Sequence, residues 1–226
     1  MKLIASQFCP QKRGLLILDL DGTLADTIGG IRDGVNLAME KYGFPTRSYE
    51  EVRLAIGNGA RELIRQSMPP KAAEDSDLVD RVFKDYHDFY GQTYGNCRIY
   101  DGISESLAIL SERGYTLAVL SNKQDAYVKG MVADLFSEIP IAYVEGQTDR
   151  PKKPDSTVPL WMAKTLGFAP EETAFIGDSE VDVQTALNAG MFAVGCAWGY
   201  RERAILVEAG AHAVLDLPSE LTELFV

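Results

Sequence analysis

The sequence predicts an α/β fold: a doubly wound, Rossmann-like parallel sheet with an α-helical domain inserted after its first strand. Three observations predict it. Short apolar runs of strand length recur along the chain, helical patterns separate them, and one long segment near the N-terminus breaks the alternation.

The first run, Leu15-Leu16-Ile17-Leu18, is apolar at every position, which marks a strand buried on both faces. Similar runs follow at Leu117–Leu120, Ile141–Val144, Thr173–Ile176 and Phe192–Gly195, with a weaker one at Ala213–Leu215. Helical patterns over Ile103–Arg113, Ala126–Phe136, Val158–Leu166 and Val181–Ala189 lie between them. Strands joined through helices build parallel βαβ units. From Asp26 to about Tyr94 the pattern is helical throughout. Ile28, Ile31, Val35, Ala38 and Tyr42 share one helical face, and Leu78, Val82, Tyr86, Phe89 and Thr93 share another. Ser48-x-x-Glu51 is a capping box, and Met68-Pro69-Pro70 ends a further helix. The expected domains are therefore 1–25 with 95–226 as the catalytic core and 26–94 as a cap. The hinges are expected at Ala25–Thr27 and Gly95–Arg98. An insertion at that point belongs above the carboxyl ends of the strands, where open α/β sheets bind ligands.

Charge narrows the partners. The chain of 226 residues carries 33 acidic and 22 basic side chains, a formal net charge of −11, and this field repels nucleic acid and anionic membranes. A small anionic substrate is still compatible, because a local recess can be positive. Cys9, Cys97 and Cys196 form no metal-like spacing, and His87 and His212 have no ligand-like neighbours, so reduced thiols in a cytoplasmic protein are expected. Met1–Arg13 has no apolar run of the signal type, and no stretch reaches transmembrane length. The acidic balance and the lack of heptads favour a monomer or a weak homodimer. Trp161 and Trp198 read as packing residues.

Four polar segments each follow an apolar run: Asp19-x-Asp21-Gly22-Thr23, Ser121-Asn122-Lys123, Lys152-Lys153-Pro154 and Gly177-Asp178-Ser179-x-x-Asp182. Parallel strands end on one edge of the sheet, so these groups can converge. Asp19 and Asp21 straddle one leucine, close enough for one carboxylate to act as nucleophile and the other to carry a proton. Gly22 permits a tight turn near a ligand, and Thr23 offers a donor. Ser121 and the backbone N–H groups after it can face an anion, and Lys153 supplies positive charge. Asp178 and Asp182, one helical turn apart, suit Mg²⁺. Each segment also has a plain structural reading: a strand-to-loop turn, a helix cap, a solvated loop or an acidic N-cap cluster. Their occurrence together at successive strand ends favours the chemical one.

The set Asp19-Leu20-Asp21-Gly22-Thr23-Leu24, Ser121-Asn122-Lys123, Lys153-Pro154 and Gly177-Asp178-Ser179-Glu180-Val181-Asp182 resembles the haloacid dehalogenase superfamily. Within it the chain is similar to the phosphatases with a helical cap, such as phosphoglycolate phosphatases. Nearly the whole chain takes part, including Ala186-x-x-Ala189-Gly190-Met191. The resemblance implies that Asp19 attacks phosphorus to give an aspartyl-phosphate, and that Asp21 protonates the leaving group and later activates water. It implies Mg²⁺ on the Asp19 carboxylate, the Asp21 carbonyl and Asp178, with Asp182 orienting Lys153 or a metal-bound water. Asp19, Gly22, Thr23, Ser121, Asn122 and Lys153 would bind the phosphoryl group. Lys153 is chosen over Lys152 because it precedes Pro154. Asp21 argues against carbon–halogen cleavage. Specificity is expected from the cap, where Gly57-Asn58-Gly59 can form a tight loop and Arg61 and Arg65 share a face that can meet an anionic group. The expected substrate is a small phosphate monoester resembling phosphoglycolate. A phosphomutase, a nucleotidase, a pyrophosphatase or a catalytically silent binding module of the same fold are the alternatives.

Overall fold

A computed structural model describes residues 14–226. Cys9 and the reading of the first thirteen residues as lacking a signal lie outside the described residues. In chain order the strands are β1 Leu15–Leu18, β2 Ala25–Asp26, β3 Arg98–Ile99, β4 Thr116–Gln124, β5 Ile141–Gln147, β6 Thr173–Gly177, β7 Phe192–Cys196 and β8 Ala213–Leu215. The chain forms two compact units, one of the described residues up to Ala25 with Ile99–Val226, the other of Asp26–Arg98.

The first unit is an α/β layer structure around a parallel six-stranded sheet of order β5-β4-β1-β6-β7-β8. After β1 the chain builds outward through β4 and β5, then returns to β1's other flank and builds outward again. This reversal is the switch point of a doubly wound sheet, where ligands bind at the carboxyl ends. Register sets the level of those ends. Leu18 pairs with Val119 and with Ile176, and Ile176 pairs with Val194. The residues after the paired level, including Asp19 and Gly177-Asp178, therefore emerge side by side. All four residues of β1 are buried, which is why its apolar run is unbroken.

Two strands run longer than their apolar runs. β4 continues to Gln124 with a register break between Leu120 and Gln124, so Ser121-Asn122-Lys123 lie within an irregular strand extension. The following helix, Asp125–Leu135, starts after Gln124 without a side-chain cap, so Ser121 is not its cap. β5 continues through Glu145 to Gln147. Among the described residues no helix is long and apolar enough to cross a membrane.

The second unit holds the helices Ile28–Lys41, Tyr49–Ala55, Ala60–Ser67 and Ser76–Thr93. The capping box forms: the Ser48 N–H donates to Glu51 Oε2 at 2.8 Å, and the Glu51 N–H donates to Ser48 Oγ at 3.3 Å. Ile28, Ile31, Val35 and Ala38 are buried as expected, while Tyr42 ends its helix half-buried and donates to Asp85 at 2.8 Å. The last helix buries Val79, Val82, Tyr86 and Tyr90. Leu78, Phe89 and Thr93 are only half-buried, so the true stripe is the neighbouring one, which shares Val82 and Tyr86. Gly30 explains how closely the first and last helices cross, because a Cβ there would sit 2.4 Å from the Thr93 carbonyl oxygen. The unit ends at Arg98 rather than at Tyr94. Residues past the last helix stay with it because the Gly30 N–H donates to the Asn96 carbonyl at 2.9 Å and Arg98 pairs with Asp26 at 3.6 Å.

Candidate active site

Asp19 leaves β1 still attached to the sheet, its N–H donating to the Ile176 carbonyl at 2.9 Å. Its Oδ1 lies 2.9 Å from Lys153 Nζ, and the same ammonium donates to Asp182 Oδ1 at 2.7 Å. All three side chains are buried, so one cation is shared between two carboxylates in a low-dielectric place. Burial works to lower the Lys153 pKa, but Asp182 and Asp19 outweigh it and hold it above the ordinary lysine value. Burial acts on Asp19 in the opposite sense. Reinforced by Asp182 and Asp21, it outweighs Lys153 and pushes the Asp19 carboxyl from 3.8 up to about 7.

The fourth segment forms the helix cap that is its plain structural reading. Asp182 Oδ2 accepts from the Ser179 N–H at 3.1 Å and from the Ser179 hydroxyl at 2.6 Å, an N-cap box for the helix Glu180–Asn188. Its other oxygen is thereby aimed at Lys153. Of the adjacent lysines, Lys153 is buried and Lys152 exposed.

Asp178 follows β6 and is buried, with its Oδ2 accepting from the Tyr200 N–H at 2.7 Å. Burial, with Asp182 and Asp19 adding to it, raises this carboxyl well above the usual range. The loop after β1 makes room for it. Leu20's carbonyl accepts from Thr23, Leu24 and Ala25 at 3.3, 3.0 and 3.1 Å, a turn that holds Gly22 at φ +83°. A Cβ on Gly22 would stand 2.2 Å from Asp178 Oδ2, and one on Gly199 would stand 2.3 Å from Asp178 Cβ. Only backbone fits on either side of this carboxylate. Thr23 is fully buried with its Oγ1 unpartnered, and Trp198 Nε1 donates to its carbonyl at 3.0 Å. Asp19, Asp178 and Asp182 each offer a carboxylate oxygen within 4.8 Å of the others.

Ser121 is buried and its Oγ accepts from the Lys123 N–H at 3.2 Å, which leaves the hydroxyl proton to donate elsewhere. The Asn122 side chain clamps the Lys153 backbone, donating to its carbonyl at 3.0 Å and accepting from its N–H at 2.9 Å. Lys123, assigned no role from sequence, donates to Asp21 Oδ1 at 2.6 Å. Further out, Arg150 pairs with buried Glu145 at 2.9 Å and lies over Trp161 at 4.0 Å, tying down the segment that leads to Lys153.

In the helical unit, Gly57 and Gly59 have φ of +122° and +87° and bracket Asn58 in the turn before the helix Ala60–Ser67. The arginines expected to meet an anion each lie in a surface ion pair. Arg61 donates to Asp80 at 2.7 Å and to Ser76 at 3.0 Å, and Arg65 donates to Glu62 at 2.8 Å. Both arginines are exposed, with acidic partners on their own and the following helix.

A doubly wound sheet that gathers buried carboxylates at its switch point is the frame of a protein that binds its ligand at the strand ends. The model of the haloacid dehalogenase-like hydrolases matches residues 16–196, and the chain belongs to that family. A phosphoglycolate phosphatase of Pseudomonas putida is 30% identical over 212 residues, which span 90% of this chain and 76% of that one. One of Haemophilus influenzae is 31% identical over 213 residues, spanning 89% of this chain and 93% of that one. Among solved structures, a protein described as a predicted phosphoglycolate phosphatase from Haemophilus somnus superposes with a TM-score of 0.85 at 26% identity, covering 93% of this chain and 97% of its own. A haloacid dehalogenase-like family hydrolase from Streptococcus pneumoniae shares the fold with a TM-score of 0.85 at 22% identity, covering 95% and 99%.

Proposed function

We propose that the chain is a divalent-metal-dependent phosphatase that hydrolyses a small phosphate monoester, phosphoglycolate or a close analogue, through an aspartyl-phosphate on Asp19. The observation that carries this reading is the Asp19 carboxylate at 2.9 Å from Lys153, with Asp178 beside it and Asp21 two residues on. Two relatives at about 30% identity named phosphoglycolate phosphatase support the substrate class.

The donors fit a hard divalent cation such as Mg²⁺. Three carboxylates lie buried together, Asp19 Oδ1 lacks a well-directed hydrogen bond, and burial with mutual repulsion raises Asp19 and Asp178. Asp182 spends both oxygens on Lys153 and Ser179, so the Asp19 and Asp178 carboxylates, with the Asp21 carbonyl, would hold the ion. When bound, it would neutralise charge on the phosphoryl oxygens and keep Asp19 ionised at neutral pH.

In the proposed reaction an Asp19 oxygen forms a bond to phosphorus while the bond to the leaving oxygen breaks. Asp21 gives its proton to that oxygen, and the alcohol leaves. Asp21, now ionised, takes a proton from water as the water oxygen attacks phosphorus. The bond to Asp19 breaks, inorganic phosphate leaves, and both aspartates return to their starting states. Lys153, Ser121 and the loop N–H groups hold the phosphoryl oxygens throughout. Asp182 and Asn122 keep Lys153 in place. The test is phosphate release from a panel of phosphate esters with and without Mg²⁺, beside Asp19→Asn. Release should need Mg²⁺, favour small phosphocarboxylates and vanish in the variant. Release surviving in Asp19→Asn would reject the nucleophile, and isomerised product without free phosphate would identify a mutase.

A further inference from the structure

The loop after β7, residues 197–201, meets the site from a side that the proposed reaction does not use. A Cβ on Gly199 would lie 2.3 Å from Asp178 Cβ and 2.3 Å from the Gly22 carbonyl oxygen. The bare backbone of Gly199 therefore touches both the carboxylate's residue and the loop that follows the nucleophile. The next residue, Tyr200, is buried and donates its N–H to Asp178 Oδ2 at 2.7 Å. Its ring lies against Gly22, where a Cβ would stand 2.8 Å from Tyr200 Cδ2.

A backbone N–H is only as well placed as the chain that carries it. The Ala197 N–H donates to the Leu215 carbonyl at 2.8 Å, the Gly199 N–H to the Cys196 carbonyl at 3.3 Å, and Arg201 pairs with Glu180 at 3.1 Å. Those ties lead to β8, to β7 and to the helix Glu180–Asn188. Trp198 makes a tie of another kind. Its Nε1 donates to the Thr23 carbonyl at 3.0 Å, across 175 positions of sequence, and Thr23 is fully buried in the turn that follows Asp19 and Asp21. Packing would engage only the ring of this half-buried residue, whereas here the indole's single donor is engaged as well.

Resting on the proposed function, the donors for the divalent cation come from two loops: the Asp19 carboxylate and Asp21 carbonyl after β1, and Asp178 after β6. The indole bond joins the first loop to the segment whose N–H orients the carboxylate of the second. We infer that Trp198 is a positioning residue for the divalent cation: bonded to Thr23, it holds the Tyr200 N–H on Asp178 and keeps the donors of the two loops at one spacing. Hydrogen-bond partners of metal-binding groups carry about 10- to 100-fold in metal affinity. Trp198 acts one step behind such a partner, which places its effect at the lower end.

The test is Trp198→Phe, which keeps a ring and removes the donor. Mg²⁺ is titrated without substrate at constant ionic strength, and binding is read from the rise in Tm. The variant should need about 10-fold more Mg²⁺ than the wild type for the same rise. At saturating Mg²⁺ its KM for phosphoglycolate should match the wild type, because Trp198 touches neither Ser121 nor Lys153. A role in packing alone would lower the Tm in chelator and leave the Mg²⁺ requirement where it was. That result would overturn the inference and leave the phosphatase intact, as would a raised KM at an unchanged Mg²⁺ requirement. Trp198→Met replaces the phenylalanine variant if that one does not fold. A wild type whose Tm and phosphate release are both indifferent to Mg²⁺ would instead overturn the proposed function, and this inference with it.

Discussion

Withholding divalent cation should make the protein lose stability as the pH rises, which is opposite to the usual behaviour of a carboxylate. Burial first, then Asp182 and Asp21, lift the Asp19 carboxyl from 3.8 to about 7 in the folded protein. Between those values the folded chain holds a proton that the unfolded chain has released, so stability falls by about 1.4 kcal/mol per pH unit. It is fully present below about pH 4 and has been lost once pH passes about 7. Between pH 5 and pH 8 the loss from Asp19 comes to about 3 kcal/mol, or some 6–12 °C in Tm for a chain of this size. Asp178, raised for the same reason, acts in the same direction. The assay is urea unfolding in chelator at pH 5 and pH 8, for the wild type and for Asp19→Asn. Subtracting the variant removes the titrating groups remote from Asp19, among them His87, whose pKa burial lowers, while Asp178, which senses the Asp19 charge, stays part of the difference. The stability of the wild type relative to the variant should fall by about 3 kcal/mol from pH 5 to pH 8 in chelator, and the fall should shrink in millimolar Mg²⁺. A difference that does not change with pH, or that Mg²⁺ leaves alone, would refute the account of an uncompensated acid cluster.

Other perturbations separate the supports of the site. Asp182→Asn keeps the shape of the N-cap but removes one of the two charges on Lys153, and should lower kcat/KM about 10- to 100-fold; unchanged kinetics would show that Asp182 only caps its helix. Asn122→Ala deletes both bonds to the Lys153 backbone, and should cost about 1–3 kcal/mol in urea unfolding while raising KM for phosphate esters. Gly22→Ala places a methyl group against Asp178 at a positive φ; the expected result is loss of Mg²⁺-dependent activity with about 1–2 kcal/mol or more of destabilisation, and an active, stable variant would contradict the crowding.

Much of this was legible from residues alone, for identifiable reasons. The strand β1 and its neighbours are buried on both faces, so their sequences are unbroken apolar runs that end where the chemistry begins. The first segment is local, with Asp19, Asp21 and Gly22 within one turn. What could not be read is what spans the chain. Lys123 and Asp21 are 102 positions apart, and only the pairing of β1 with β4 brings them together. The extension of β5 was hidden because one of its buried residues is a charge, Glu145, whose partner Arg150 is drawn over Trp161 from the next helix. The misassigned face of the helix Ser76–Thr93 reflects two adjacent apolar stripes, of which packing chose the one containing Tyr90 rather than Phe89. Arg61 looked available because its partner Asp80 belongs to the following helix, 19 positions on.

The central claim is that Asp19 carries the phosphoryl group. The most direct measurement is rapid acid quenching of the protein during turnover of ³²P-labelled phosphoglycolate with Mg²⁺, followed by mapping of the label to a peptide. The account predicts acid-stable, base-labile label on the peptide containing Asp19, absent from Asp19→Asn. Phosphate released at the wild-type rate with no label at any quench time, or label on a different residue, would contradict it.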